Sequence, residues 1–477
     1  MHRELLIGGH FFGGPCDQSI GKDLSTNPFD GSLVGTVAEA GWAEVDSALH
    51  FAQKAFEDYR FSPRSQRQFL LRKIAASVRE RRQELAELVM KEVGKPITLA
   101  LAEVDRTAIT FDLAGDLLTA PCGSLLPVDQ DPRGTGYRCF TERVPLGPVL
   151  AIIPSNWPLN LAAHKLAPAL AAGATVVVKA PGTAPLATLT LARIIHEAGC
   201  PDGVVNAVHC VPALAQKAVL DPRIKVLSFT GSEAVGWMLK SLVPEKKVIL
   251  ELGGDASVVF FDGNLEWACQ RMVAGAFGYA GQVCISVQHA RIHQDSLPEA
   301  RERLIHLTDT FPTGDPSDPS VLCGPMITDE AADKVMDFLD EAVNGGASIL
   351  AGGNRIGRMI EPTLIENVPA QCRLAKEEVF GPVLTLSSFE TAEEALRQVN
   401  QSRYGIQLGI FTESMKLAEK IYREAQVGGV VVNDFPTLRF DVMPYGGVKR
   451  SGFGREGVAS GYLELTEDKV MISRLVD

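Results

Sequence analysis

Cys284 stands between a helix-like run and a strand-like run, directly after Gly281-Gln282-Val283. Upstream, Glu251-Leu252-Gly253-Gly254 puts a carboxylate beside two glycines, just after the β-rich run Val248-Ile249-Leu250. A thiol that can become a thiolate, with a carboxylate that can activate water, is what an acyl-enzyme mechanism needs. Most single cysteines are small buried hydrophobes, so Cys284 has that ordinary reading too. A third chemical candidate is Phe229-Thr230-Gly231-Ser232, where a strand ends and a helix opens. Helix N-terminal amides with a hydroxyl can hold a pyrophosphate; taken alone, the same residues make a plain helix cap.

The elements that must position these groups show as an alternation. Strand-like runs at 149–153, 175–179, 204–208, 226–229 and 248–250 are separated by helical runs such as 159–172 and 186–198. Short buried strands alternating with helices predict a parallel, doubly wound sheet. The alternation resumes after Glu251, with strands at 257–261, 287–292, 383–389, 409–411 and 430–432, which predicts a second α/β domain. Before the first sheet, a helical half is expected: 43–59, a long helix to about residue 93 with Ser62 as N-cap, and 99–118. Asp131-Pro132-Arg133-Gly134 reads as a turn in a hairpin at 121–148, and 470–475 as a final strand. The Gly-x-Gly-x-x-Gly match at 452–457 follows no strand and is expected to be a tight loop, not a dinucleotide fingerprint.

Length and composition narrow the classes. At 477 residues, more than one domain is expected. A net charge of −12 argues against a nucleic-acid surface. The most apolar region, 149–178, is broken by polar residues and prolines, so it reads as core and not as a membrane span. Nine scattered cysteines without Cys-x-x-Cys spacing fit reduced thiols and a cytoplasmic protein. His289 and His293 are the one histidine pair whose spacing suggests a metal; lying on a strand, they are taken as structural, and no metal is expected.

Taken in order, Pro154-Ser155-Asn156-Trp157-Pro158, Lys179-Ala180-Pro181, Phe229-Thr230-Gly231-Ser232, Glu251-Leu252-Gly253-Gly254, Gly281-Gln282-Val283-Cys284, Glu378-Val379-Phe380-Gly381-Pro382 and Pro444-Tyr445-Gly446-Gly447 through Glu456 resemble the aldehyde dehydrogenase superfamily over nearly the whole chain. The wording around Cys284 and Tyr445 is most similar to its lactaldehyde and non-phosphorylating glyceraldehyde-phosphate branches. The resemblance implies two doubly wound α/β domains with a small β oligomerisation element. These would be a dinucleotide-binding domain at 1–120 and 143–250, a catalytic domain at 251–454, and an oligomerisation element at 121–142 and 455–477. It implies a homodimer or homotetramer, and a small-molecule aldehyde as partner.

By the same resemblance Cys284 is the nucleophile, Glu251 the base for hydrolysis, and Asn156 an oxyanion donor; Asn156 could also be the N-cap of the helix that follows. NAD or NADP would be held by Lys179, Phe229, Gly231, Ser232, Leu252, Glu378 and Phe380. Lys179 has a surface reading and Phe380 a core one. Gly182 stands where relatives that favour NAD often carry a glutamate, which leaves NADP permitted. A coenzyme A-acylating enzyme and a catalytically silent member of the fold are the alternatives, and the presence of Glu251 favours hydrolysis. Asn160 and His164, four residues apart on one helix, share a face. With Arg106 and Arg439, which fall where the family lines its substrate tunnel, they are expected to make a polar pocket for a small hydrophilic aldehyde. Each arginine also has a plain salt-bridge reading.

Overall fold

Short runs of β-branched residues, bounded by glycine, proline or an abrupt charge, form the strands of two large sheets. In the computed structural model, residues 1–14 and 19–474 are described; Cys16 and the end of the strand expected to reach Leu475 lie outside the described residues. The first sheet has the order Gly452–Phe453, Lys247–Glu251, Val226–Thr230, Val149–Ile152, Val176–Lys179, Val205–Val208, Leu5–Ile7, His10–Phe12. The five central strands are parallel, and the edge strands are antiparallel. Successive strands move outward in one direction from Val149–Ile152. The chain then crosses back and places Val226–Thr230 on the other side of it. At that reversal the loops following the two neighbouring strands part and leave a crevice, the usual ligand site of an open α/β sheet.

The second sheet has the order Ser348–Ala351, Thr363–Glu366, Val383–Phe389, His289–His293, Ser257–Phe260, Gln407–Phe411, Gly429–Val432. All its pairs are parallel except the first. The chain enters this sheet straight after Glu251, so Glu251 ends one sheet and its next few residues begin the other. A third sheet stands apart: Thr466–Arg474 pairs antiparallel with the whole of Tyr137–Pro145, and Leu125–Leu126 lies on the far side.

Three local expectations change. The long helix is two, Arg64–Glu80 and Arg82–Val93, because Arg81 leaves helical geometry (φ −102°, ψ 21°). Ser62 does not cap it; its hydroxyl donates back to the Tyr59 carbonyl. Gly452–Phe453, expected in a loop, is a short edge strand of the first sheet, with Leu250 opposite Phe453 and Glu251 opposite Gly452. The chain has therefore returned to the first sheet before residue 454. No described helix is long and apolar enough to cross a membrane.

Candidate active site

A cavity of about 400 Å³ opens at the crevice of the first sheet, lined by Asn156, Gly231, Ser232, Glu251, Leu252 and Cys284 among others. From the second sheet it is closed by Glu378 and Phe380. The glycines hold its shape. A Cβ on Gly231 would lie 2.7 Å from the Phe229 ring, and one on Gly253 would lie 2.1 Å from Glu378 Oε2. Phe229 thus packs beneath the turn and does not line the cavity. Gly254 N–H donates to Glu378 Oε1 (3.1 Å), while burial pushes the Glu378 carboxyl up to about 7. Phe380 sits at φ +52°, a left-handed conformation rare for an aromatic residue. No side chain caps the helix Glu233–Leu242, and the Thr230 hydroxyl is buried without a partner. Open amides, an orphaned hydroxyl and an unpaired carboxylate fit a dinucleotide's pyrophosphate and ribose. Lys179 ends the next strand, buried and outside the lining of this cavity; burial lowers its pKa. A Cβ on Gly182 would meet nothing within 4 Å.

Cys284 follows a tightly wound loop. Tyr279 and Ala280 both have positive φ (+54° and +52°), and Gly281 (φ +66°) passes so close to Gly381 that a Cβ would lie 2.2 Å from its carbonyl oxygen. The Gln282 side chain staples the loop. Its amide donates to the carbonyls of Tyr279 and Pro325, and its oxygen accepts from Ile327 N–H. Cys284 Sγ lies 3.1 Å from the Tyr445 hydroxyl. Burial pushes the thiol up to about 11, against the pull of that hydrogen bond.

Asn156 is not the cap of the helix Asn160–Ala172. That duty belongs to Glu103, whose Oε1 accepts from Leu159 N–H (2.9 Å) and Asn160 N–H (3.1 Å). Glu103 is itself paired with the fully buried Lys95, whose ammonium lies over the Trp157 ring. The Asn156 amide instead donates to the Gln282 carbonyl (2.9 Å), which ties it to the cysteine loop. Glu251 is 3% exposed, and neither of its oxygens has a hydrogen-bond partner. Burial, and then the charge of Glu456, raise its pKa well above the ordinary carboxylate value.

On the far side of Cys284 lies a second cavity of about 210 Å³, lined by Arg106, Trp157, Asn160, Arg439 and Tyr445 among others. Arg106 grips Asp441 with two nitrogens (2.7 and 3.1 Å). Arg439 lies 3.8 Å over the Tyr445 ring and reaches Glu456 at 3.4 Å. Lys165 also holds Glu456 (2.8 Å).

The aldehyde dehydrogenase family profile matches residues 18–471 of this chain. The chain belongs to the aldehyde dehydrogenase family. It is 36% identical over 469 residues to a 3-sulfolactaldehyde dehydrogenase of Priestia aryabhattai, covering 98% of each protein. Among solved structures, it is similar to an aldehyde dehydrogenase of Physcomitrella patens in complex with the reaction product succinate (TM-score 0.97, 35% identity, 100% of this chain and 98% of that one). It also matches an NADP-dependent glyceraldehyde-3-phosphate dehydrogenase of Bacillus halodurans complexed with NADP (TM-score 0.96, 31% identity, all of both chains). The protein is thus an NAD(P)-dependent aldehyde dehydrogenase.

Within this aldehyde dehydrogenase, Cys284, Glu251 and Asn156 share one cavity with Gly231, Ser232, Leu252, Glu378 and Phe380, while Arg106, Asn160 and Arg439 meet Cys284 in the other. His164 does not join them. It is buried behind the wall, donating from Nε2 to Asp441 Oδ1 (2.9 Å), and burial lowers its pKa to about 4. The helix carrying it is buried on every side, so sharing a face with Asn160 does not aim it at the cavity. Sequence reasoning missed Asp441, Glu456 and Lys165 as members of the site, and saw Tyr445 only as part of a motif. No local spacing links Asp441 to Arg106 or His164, which lie hundreds of residues upstream.

Proposed function

We propose that this aldehyde dehydrogenase oxidises a small hydrophilic aldehyde carrying a second, anionic group to its carboxylic acid, with NAD or NADP as acceptor. The observation that carries the reading is the charge of the 210 Å³ cavity beside Cys284. Arg106 and Arg439 line it, and behind them Asp441 holds Arg106 while Glu456 holds Arg439 and Lys165. Three cations against two anions leave room for one more negative charge. The relatives lend support: a sulfonate, a second carboxylate and a phosphate appear in the compounds named for them.

In this reading Cys284 loses its thiol proton to water, the thiolate Sγ adds to the aldehyde carbon, and the carbonyl π pair moves to oxygen as an oxyanion. The free N–H of the Asn156 amide and the Cys284 backbone N–H stabilise it. Such donors are worth about 10²–10³ in rate. A bound dinucleotide would supply the hydride acceptor, and loss of that hydride would leave a thioester on Cys284. Glu251, its oxygens uncommitted, takes a proton from water, and the hydroxide releases the acid. Lys179, Ser232, Glu378 and Phe380 would hold the dinucleotide. The first sheet with the N-terminal helices would form its domain, and the second sheet the catalytic one.

The protein is proposed to work in the cytoplasm as a homodimer or homotetramer. Thr466–Arg474 has one open edge and exposes Val470, Met471 and Ile472, a liability that a second subunit removes. A monomeric mass in light scattering would contradict this.

The substrate reading is tested by kcat/KM for succinate semialdehyde, lactaldehyde and hexanal with each dinucleotide, with and without coenzyme A. The acidic semialdehyde should lead without coenzyme A. Arg439→Met should cost it about tenfold, the scale of one charge-assisted hydrogen bond, and spare hexanal. A preference for hexanal that Arg439→Met leaves unchanged would overturn the reading; strict dependence on coenzyme A would replace hydrolysis by acyl transfer.

A further inference from the structure

A cavity larger than either of the two at Cys284 lies elsewhere. It measures about 820 Å³ and lies on one face of the second sheet. A central strand of a parallel sheet covered on both faces is normally apolar throughout. The strand His289–His293 obeys this on one side only: Ala290 and Ile292 pack into the core with Ala268 and Met272 of the helix Leu265–Phe277. The opposite face carries His289, between Ser257 and Thr385, and Arg291, between Val259 and Ser387. These line the cavity, together with Asp255, Lys376, Glu377 and Gln398.

Two groups in this wall lack the partner their chemistry asks for. Arg291 has no carboxylate within ion-pair distance among the described residues. Its Nε donates to Ser257 Oγ (3.3 Å) and its Nη1 to Gln398 Oε1 (3.2 Å), both neutral acceptors. A guanidinium cannot shed its charge, and the charge of Asp255, not bonded to it, offsets its burial only in part. His289 is 5% exposed. Its Nδ1 meets Thr385 Oγ1 at 2.7 Å, and its Nε2 has no hydrogen-bond partner. The nearest acid, Asp255, lies 3.8 Å from that nitrogen and accepts two bonds from Ser402. Lys376, exposed at the rim, has no ion pair among the described residues. Glu377 is the other acid in the wall.

We infer that this cavity is a second ligand site, for a small oxyanion that also carries a hydroxyl. The oxyanion would sit on the free side of Arg291 with Lys376 at the rim, and the hydroxyl would meet His289 Nε2 and Asp255. The occupant is not the reacting aldehyde, because Cys284 does not line this cavity. It is an effector instead. The two segments that wall it, Gly254-Asp255 and Lys376-Glu377, run directly into the hydrogen bond between Gly254 and Glu378 in the dinucleotide cavity. Gln288 locks the second segment by accepting from Val379 N–H and donating to the Glu377 carbonyl.

Calorimetric titration of the enzyme with inorganic phosphate and with malonate, under saturating NADP so that the dinucleotide's own phosphate sites are filled, tests the inference. One saturable site per chain is expected. Arg291→Gln should weaken it at least about tenfold, and Lys376→Ala by about threefold; the latter change is at the surface and leaves the fold intact. Arg439→Met should leave the affinity as it was. Tighter phosphate would mark a phosphorylated effector, tighter malonate a carboxylate one. The inference fails if nothing saturates, if neither Arg291→Gln nor Lys376→Ala weakens binding, or if Arg439→Met removes it, which would place the anion beside Cys284.

Discussion

The two cavities that meet at Cys284 treat the same side chain in opposite ways. On the dinucleotide side, Glu251 and Glu378 are buried carboxylates with no cation bonded to them, and both are pushed up, Glu378 to about 7. On the far side, burial also pushes Glu456 and Asp441 up, but their partners outweigh it. Lys165 and Arg439 hold Glu456 at about 2, and His164 and Arg106 hold Asp441 below the usual carboxylate range. Burial is common to all four, so the partner decides. Glu251, meant to exchange a proton, is left without a hydrogen bond, and a carboxylate meant to hold a wall in place is bonded to at least two side chains.

If that division is right, removing the unbonded group should cost the most. Glu251→Gln should slow turnover by about 10²–10⁴, the scale of a lost general base. It should still release a burst of reduced dinucleotide in the first turnover, and Cys284→Ala should abolish burst and turnover together. Rapid-mixing absorbance at the reduced nicotinamide band separates the two. Wild-type turnover in Glu251→Gln would place the base elsewhere. The raised Glu251 also sets a sign: a base must be deprotonated to act, so activity should fall as pH drops through its raised pKa, well above the range of an ordinary glutamate.

Breaking the paired side should move that limb. The charge of Glu456 raises the Glu251 pKa, while Lys165 and Arg439 lower it. Glu456→Gln removes the first influence and frees the other two, so the acidic limb of the kcat profile should shift to lower pH. Unpairing the buried Lys165 should also cost about 3–5 kcal/mol of stability, readable as a lower melting temperature. An unmoved limb would mean that the two carboxylates do not sense each other.

The smallest effect should come from adding a carboxylate where water can reach it. Gly182→Glu is sterically free and should stay ionised at neutral pH, tilting the ratio of kcat/KM several-fold from NADP toward NAD. An unchanged ratio would show that position 182 does not face the ribose.

What could be read in the chain before folding was what local pattern encodes. Valine-rich runs between helical runs announced both sheets, and the motifs around Glu251 and Cys284 marked the two chemical groups. What pattern does not encode is which distant side chain arrives as partner. Asn156 had two readings until Glu103, from another helix, was found capping Asn160–Ala172. His164 shared a face with Asn160, but in a helix buried all round each residue has its own neighbour, and that of His164 is Asp441. The pair His289 and His293 was read as structural, and His289 bonds Thr385 while His293 bonds the Glu390 carbonyl. Spacing alone did not show that the face also carried an unpaired arginine.

The edge strand Gly452–Phe453 has a consequence for how the protein is made. The strand that ends in Glu251 gains its outer neighbour from residues about two hundred positions later. Leu252 N–H then donates to the Ser451 carbonyl, and the Ser451 hydroxyl to Gly253. During synthesis the first sheet therefore waits, one edge bare, until residue 453 has left the ribosome. Nascent chains stalled anywhere in the second half should be open to protease at Lys247–Glu251, and loss of the last thirty or so residues should be as damaging as a core mutation.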